Sequence, residues 1–244
     1  MAGLRLPFPL SAPAGRLMSL KGRVGYYLLI VVVFNLSYPL AEGGSPLQAY
    51  AYSFVYCVVV SFGVYIAAET RLRFRLSVGL AVLVVLLSLP WVLNPNNFAI
   101  GIATHIALFA MHLFILAALG EFMFSAQTVT KPVLAAALTA YLLIGDAFIP
   151  LYMALELVTQ LTTHAPAFQI AAQPDVAVSW PQMAYFSYIT LSTTGFGDVL
   201  PLTSWARALT AAEANIGVLS IALVIGRLVG LYSRPREDSD AADY

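Results

Sequence analysis

The chain has 244 residues, of which 60% are hydrophobic and only 10% are charged, whereas a soluble domain has about 25% charged residues. This composition excludes an ordinary soluble protein, which could not cover its surface with polar groups, and predicts an integral membrane protein in contact with membrane lipid. The 12 basic and 12 acidic residues balance, so the net charge does not indicate a nucleic-acid partner.

The chain begins with a basic arm, residues 1–23, which precedes an apolar stretch from Val24 to Leu40. Basic residues before an apolar stretch also occur in cleaved signal peptides. The apolar region of a signal peptide has about 7–15 residues, and the stretch here is longer. We therefore interpret it as a first membrane span that is retained in the protein.

Six stretches are apolar and long enough to cross a bilayer, which takes about 20 mostly apolar residues. They are Val24–Leu40, Leu47–Ala68, Leu76–Leu93, Phe98–Leu119, Pro132–Leu157 and Leu209–Tyr232. The sequence thus predicts an all-α membrane protein with a four-helix unit (24–120), a second domain (131–232) and a tail (233–244). The single cysteine, Cys57, lies in the second stretch and excludes an intrachain disulfide.

The basic residues divide unequally between the two sets of loops. All of the 12 except Arg207 fall in the N-terminal arm, the second-to-third loop, the fourth-to-fifth loop or the C-terminal end. Lys and Arg concentrate in cytoplasmic loops. Both termini are therefore predicted to face the cytoplasm of a cell membrane, either a plasma membrane or a bacterial inner membrane.

Among the ionisable residues inside predicted spans, His105 in the fourth and Asp146 in the fifth lie at similar depth. Such residues are functional candidates by default, because they are costly inside a bilayer. At about 1.5 Å per residue both lie in the outer half of the membrane. We expect Asp146 to form a buried contact with His105 or with a hydroxyl of the segment that follows, and this contact is either structural or proton-sensing. Glu213 is given no role.

A short apolar segment, Pro181–Leu191, lies between the last two spans. As a helix it would reach only about 16 Å, so it cannot cross a hydrocarbon core of about 30 Å. It is therefore predicted to be a re-entrant helix that enters from outside. The sequence Ser-Thr-Thr-Gly-Phe-Gly-Asp follows it at residues 192–198.

The segment 193–198 suits the passage of a dehydrated cation. Such an ion needs oxygen atoms that replace its water shell, and backbone carbonyls provide them when successive carbonyls point the same way. This requires the backbone dihedrals to alternate in sign, which Gly195 and Gly197 allow at little steric cost. The C-terminal end of the preceding helix adds a partial negative charge that favours a cation.

Residues Trp180 to Tyr232 resemble the pore of the potassium-channel family, whose signature is usually Thr-Val-Gly-Tyr-Gly-Asp. The resemblance implies K+ in a selectivity filter at 193–198, with no organic cofactor. It places Asp198 at the outer mouth and Gly217 at a hinge of the inner helix. The ion-binding carbonyls are those of Thr193, Thr194, Gly195, Phe196 and Gly197. One such filter cannot close a ring, so four chains are required and a homotetramer is expected.

Three positions depart from the family pattern. Thr194 replaces the usual valine, and both residues are β-branched, so the backbone preference is kept. Phe196 replaces the usual tyrosine, which removes a hydroxyl that braces the filter from behind. Relatives place a tryptophan at the position of Tyr185, and we expect the Tyr185 hydroxyl to bond Asp198 instead.

The resemblance predicts a potassium-selective channel that conducts K+ passively. Voltage gating of the standard type is not predicted, because voltage sensors need several arginines in the fourth span, and Phe98–Leu119 contains no Arg or Lys, only His105 and His112. A nonselective monovalent cation channel is an alternative, since a filter motif alone does not settle selectivity.

A more remote alternative is an intramembrane aspartyl protease. The Gly-x-Gly-Asp sequence at 195–198 matches such enzymes, and Asp146 would pair with Asp198. The segment before Gly195 is too short to span, however, and the Ser-Thr-Thr run has no role in a protease. We therefore do not predict an enzyme.

Overall fold

The structure, a computed structural model, describes residues 23–41, 56, 59, 62, 63 and 71–232. The predicted second span, Leu47–Ala68, lies largely outside the described residues. So do nearly all of the N-terminal arm and the whole of the tail at 233–244.

The described helices alternate with short connections and include one short apolar helix between two long ones. They are α1 (Arg23–Leu36), α2 (Arg71–Leu93), α3 (Phe98–Ser125), α4 (Lys131–Thr163), α5 (Trp180–Leu191) and α6 (Ser204–Tyr232). A 3-10 turn, Tyr38–Ala41, follows α1. Two strands, β1 (Phe168–Ile170) and β2 (Val199–Pro201), flank α5 in the chain.

Four of the described helices, α2, α3, α4 and α6, are long and apolar enough to cross a membrane. Helix α1 is apolar but has only 14 residues, about 21 Å at about 1.5 Å per residue. It ends at Leu36, short of the predicted Leu40, because Pro39 has no N–H to continue the bonding pattern of an α-helix. The count of six spans therefore stays a prediction.

The long helices extend beyond the apolar stretches that predicted them. Helix α2 begins at Arg71, α4 ends at Thr163 and α6 begins at Ser204. An apolar window ends where charged and polar side chains begin, but the helical backbone continues into the interface, where those side chains meet water. At the end of α4, His164 takes a left-handed conformation with φ 57°, which terminates the helix.

The all-α prediction missed a small antiparallel sheet. Phe168 of β1 lies opposite Pro201 of β2, and Ile170 lies opposite Val199. On the helix side, the Glu156 carboxylate accepts hydrogen bonds from the N–H groups of Ala167 at 2.8 Å and Phe168 at 3.0 Å. The sheet thus connects α4 to the chain that follows residue 198.

Helix α4 is the central element of the described structure, since it packs on α1, α3, α5 and α6. One apolar core lies between α1, α3 and α4 and includes Met111 and Leu143. A second lies between α4, α5 and β1 and includes Tyr152 and Met183. In α2 and α6, by contrast, only 11% of the most apolar window is buried. These two helices therefore present apolar surface to lipid or to other chains.

Candidate functional site

Helix α5 is fixed at its start by local bonds and by packing. The Gln182 side-chain oxygen accepts a hydrogen bond of 2.7 Å from the backbone N–H of Ser179, and Pro181 occupies the first turn, where no donor is needed. Trp180 packs edge-on against Phe34 of α1 and against Tyr56, each with ring centroids 6.2 Å apart. The short helix predicted at 181–191 thus corresponds to α5, and its re-entrant path stays a prediction.

The segment that leaves α5 alternates in backbone conformation. Thr193, Gly195 and Gly197 have φ angles of 57°, 54° and 78°, while Thr194 and Phe196 between them do not have positive φ. A row of carbonyls that faces one side requires this kind of alternation. The sequence predicted left-handed conformations at the two glycines but missed Thr193, where a β-branched side chain makes the conformation strained.

The first amide groups of this segment donate back into α5. The N–H groups of Thr194 and Gly195 both donate to the Ile189 carbonyl, at 2.8 and 3.2 Å, and that of Thr193 donates to the Thr190 carbonyl at 2.9 Å. Within the part of the chain that the structure describes, no donor bonds the carbonyl oxygens of residues 193–197. These five oxygens are therefore available to coordinate a cation.

Asp198 ends the segment at the edge of the small sheet. Its carboxylate accepts a hydrogen bond from the N–H of Val199 at 3.1 Å, and its carbonyl accepts one from Ala171 at 2.8 Å. The Tyr185 hydroxyl lies near this carboxylate, and the interaction with Asp198 raises the pKa of Tyr185 to about 12. Tyr185 therefore stays protonated at neutral pH and can donate.

Asp146 contacts a hydroxyl group of α5. The sequence analysis considered this contact as the alternative to one with His105. The Tyr188 hydroxyl lies 2.7 Å from Asp146 Oδ1 and 3.1 Å from the Leu142 carbonyl. The Tyr188 ring covers Gly145, where an added Cβ would come within 2.9 Å of the ring. Asn35 of α1 lies beside the same carboxylate.

His105 is not the partner of Asp146. Its Nδ1 lies 2.7 Å from the Gly101 carbonyl, one turn back on α3, and its ring meets the edge of Trp91. The pairing considered from the sequence was based on similar depth alone. Depth does not fix the direction of a side chain around the helix axis, and His105 satisfies its ring nitrogen locally.

A second buried carboxyl group, Glu213 of α6, had no predicted role. It has no exposed surface. The Tyr152 hydroxyl of α4 lies 2.5 Å from its Oε2, and the Ser187 hydroxyl of α5 lies 2.5 Å from its Oε1. Ser187 also reaches the Gly145 carbonyl at 2.8 Å. A glutamate within an apolar stretch was the only sequence signal for this cluster.

Gly217 lies within α6, which is continuous from Ser204 to Tyr232. A Cβ at this position would come within 2.1 Å of the Leu191 carbonyl at the end of α5. A glycine is thus required for close helix packing. The hinge function expected from the sequence stays a prediction.

The segment and the inner helix are exposed on one side of the chain. Residues 192–198 are all exposed, and 70% of the Phe196 side chain is accessible. On α6, Leu219 and Leu223 are about as open, at 60% and 62%. A single chain therefore leaves this segment and much of α6 uncovered.

The two aspartates of the protease alternative have separate surroundings. Asp146 is buried, with Tyr188 as its donor, whereas Asp198 is exposed and bonded by the Val199 N–H. An aspartyl dyad needs two carboxyl groups that share a proton. Their different partners do not favour such a dyad.

Comparisons with known proteins match this part of the chain. Residues 138–234 match a family model described as an ion channel. A candidate potassium channel protein of Rhodopseudomonas palustris is 35% identical over 72 residues, which cover 28% of this chain and 18% of that protein. The potassium channel protein kcv of Paramecium bursaria Chlorella virus 1 is 49% identical over 42 residues, 17% of this chain and 45% of the viral protein.

The chain covers less than half of the length of either relative. No solved structure is significantly similar to it.

Proposed function

We propose, on the premise that residues 138–234 of this chain belong to the potassium-channel pore family, that the protein is a potassium-selective channel. It conducts K+ passively across a cell membrane as a homotetramer. Each chain contributes six spans, of which α2, α3, α4 and α6 are four, and both termini face the cytoplasm. The ion-channel family is not a family of enzymes, so the protease alternative is set aside.

The observation that carries this proposal is the alternating backbone of residues 193–197 with its five unbonded carbonyls. In a ring of four chains, the carbonyls of Thr193, Thr194, Gly195, Phe196 and Gly197 would replace the water shell of K+. Helix α5 ends immediately before them, so its C-terminal partial negative charge would favour a cation. The exposed face of the segment and of α6 is the surface that such a ring would cover.

The test is a reversal-potential measurement on the purified protein in planar bilayers, with K+ on one side and Na+ on the other. At equal concentrations of the two ions, the reversal potential moves away from zero by about 59 mV for each tenfold ratio of K+ to Na+ permeability. A reversal potential near zero under these conditions would show a nonselective pore. No current at all, from protein that is folded and oligomeric, would contradict the channel itself.

Phe196 supports the nonselective cation channel as a second candidate. Its ring has no hydroxyl that could brace the filter from behind, and selectivity depends on the field and flexibility of the carbonyls. A Phe196→Tyr variant tests this point. If a missing brace limits selectivity, the variant raises the K+ to Na+ permeability ratio, and an unchanged ratio means that the brace is not needed here.

At the outer mouth, Tyr185 and Asp198 form a proposed bracing pair. The Asp198 carboxylate raises the pKa of Tyr185, which supports a protonated hydroxyl that can donate to this carboxylate. We expect Tyr185→Phe to change conductance and the rate at which current declines during sustained opening. Unaltered conductance and decline would show that the pair has no part in conduction.

A further inference from the structure

We propose that Glu213 is a positioning residue for the filter, a proton-bearing carboxyl group that holds α5 between α4 and α6. The inference rests on the proposed channel function and assigns a role to a residue that lies outside the filter segment. It is carried by the contacts of Glu213, its complete burial and the count of available hydrogens.

Glu213 connects three helices at one point. From α6 it reaches Tyr152 of α4 through Oε2 and Ser187 of α5 through Oε1, both at 2.5 Å. Ser187 extends the chain of contacts to the Gly145 carbonyl on α4, at 2.8 Å. A bond from α6 to α4 and a second path through α5 thus close a loop that fixes the relative positions of the three helices.

Both contacts of Ser187 can be hydrogen bonds at once only if Glu213 itself carries a proton. The Ser187 hydroxyl has a single proton but two oxygens within reach, one on Gly145 and one on Glu213. If Ser187 donates to Gly145, its contact with Glu213 needs a proton from the carboxyl group. A neutral Glu213 then completes the order Tyr152 to Glu213, Glu213 to Ser187 and Ser187 to Gly145.

The charge of the surroundings agrees with a neutral carboxyl group. Glu213 has no exposed surface, and a buried carboxylate is costly unless a cation pairs with it. The ion pair found in the described residues is Arg73 with Glu121, and no basic side chain there bonds Glu213. Tyr152 and Ser187 are its hydrogen-bond partners in that part of the chain.

The position of this cluster relates it directly to the filter. Ser187 lies one helical turn before Leu191, and Gly217 lies one turn after Glu213 and touches the Leu191 carbonyl. The last turn of α5 also presents the Ile189 carbonyl, which binds the N–H groups of Thr194 and Gly195. A shift of α5 against α6 would therefore move the residues that begin the filter.

Three variants separate hydrogen bonding from volume and charge. Glu213→Gln keeps a donor for Ser187 and an acceptor for Tyr152, so it should preserve the K+ to Na+ permeability ratio to within about twofold. Glu213→Leu removes both bonds at similar volume and should lower that ratio by about tenfold. Ser187→Ala breaks only the path through α5 and should fall between the two.

Glu121→Gln, at the half-buried pair with Arg73, is the matched control and should behave as the unmodified protein. If Glu213→Leu unfolds in detergent, Ser187→Ala alone tests whether Glu213 positions the filter. An unchanged permeability ratio in folded Ser187→Ala and Glu213→Leu would overturn the positioning role while the channel itself stands. A loss of selectivity in Glu213→Gln as large as in Glu213→Leu would also overturn it.

The proton has its own spectroscopic test. Infrared difference spectra of the unmodified protein and Glu213→Gln should show the carbonyl band of a protonated carboxylic acid only in the former. If Glu213→Gln removes a carboxylate band instead, Glu213 is ionised, and the proposal of a neutral Glu213 is overturned. If the unmodified protein itself passes no current, the proposed function fails, whereas the infrared result still reports on Glu213.

Discussion

In the proposed pore region, α4 to α6 with the small sheet, the buried carboxyl groups bond partners on other elements, whereas most buried polar side chains of α3 bond carbonyls of their own helix. In α3, Thr104 and His105 bond carbonyls one turn back on the same helix. In the pore region, Tyr188, Ser187 and Glu156 bond partners on other elements. A bond within one helix stabilises that helix but does not determine where its neighbour lies, whereas a bond between elements determines their relative position.

Apolar and aromatic contacts connect the two regions. Phe34 of α1 and Tyr56 surround Trp180 at the start of α5, and Asn35 beside Asp146 adds a polar neighbour. Packing of this kind tolerates volume-conserving changes. We therefore expect the pore region to be sensitive to the loss of one hydrogen bond or to the addition of one methyl group. The preceding helices should be much less sensitive to the same changes.

The largest expected effect follows from Gly197→Ala. Its φ of 78° is costly for alanine by about 1–2 kcal/mol, which four copies in a tetramer would raise to about 4–8 kcal/mol. K+ current in bilayers should be abolished. Gly120→Ala on α3 is the control, because both sites have nothing within 4 Å of an added Cβ and only Gly197 has a positive φ.

Current retained by Gly197→Ala would mean that the left-handed conformation is not needed for conduction. Current lost by Gly120→Ala as well would show that the two regions are equally sensitive and would contradict the comparison.

Gly217→Ala should have the next largest effect. The new Cβ would meet a backbone carbonyl at 2.1 Å, which cannot move aside without moving the end of α5. Overpacking of this kind costs about 1–3 kcal/mol and occasionally more, so the thermal midpoint of the purified protein should fall.

Gly226→Ala on the same helix has open space around it and should raise that midpoint slightly, since alanine favours a helix over glycine by about 1 kcal/mol. Equal shifts in the two variants would show that the contact at Leu191 is not tight. In that case Gly217 would serve only as the hinge expected from the sequence.

The sequence predicted the elements that depend on local chemistry. Helix α5 was found from its length and from Pro181, and the left-handed conformations of residues 195 and 197 from the two glycines. These features depend on the chain within a few residues. The four long helices were predicted for the same reason, since a run of apolar residues at membrane length is itself the signal.

The contacts between elements could not be predicted in this way. A single polar residue in an apolar helix, such as Asp146 or Glu213, shows that a partner exists but not which helix supplies it. That choice depends on the rotation of each helix about its axis. The sheet of β1 and β2 has strands of only three residues, too short for an alternating pattern. It forms because Glu156 holds the start of β1 and the chain after residue 198 returns beside it.

Glu156→Ala tests the connection between α4 and this sheet. The variant leaves the N–H groups of Ala167 and Phe168, both buried, without their acceptor. An unsatisfied buried group costs about 1–3 kcal/mol, so the thermal midpoint should fall. The chain at Asp198 should also become more mobile. Gln160→Ala removes only the side-chain bond of Gln160 to the other carboxylate oxygen and should have a much smaller effect.

If both variants lower the thermal midpoint equally, Glu156 stabilises the protein by its bond to Gln160 and not by its bonds to the strand. Protection of the Ala171 amide against hydrogen exchange, which depends on its bond to the Asp198 carbonyl, would then be the same in both variants.

A smaller effect is expected from Tyr188→Phe. The ring and its packing on Gly145 are kept, and only the hydroxyl bonded to Asp146 is lost. One intramolecular hydrogen bond contributes about 0.5–1.5 kcal/mol. Asp146→Asn should be milder, since the amide oxygen can still accept from Tyr188. If Asp146→Asn changed the pH dependence of current and Tyr188→Phe did not, the carboxyl group would be a proton sensor and not a structural acceptor.

The smallest effect should come from Thr104→Val in α3. Thr104 is as buried as Asp146, each with 2% of its surface exposed, so burial alone would predict a similar cost. Among the described residues, its hydroxyl bonds the Ile100 carbonyl of its own helix, at 2.8 Å. Side-chain bonds of this kind add little to a helix, and valine keeps the shape. We expect a change below about 0.5 kcal/mol, and a loss equal to that of Tyr188→Phe would show that a local bond matters as much as one between helices.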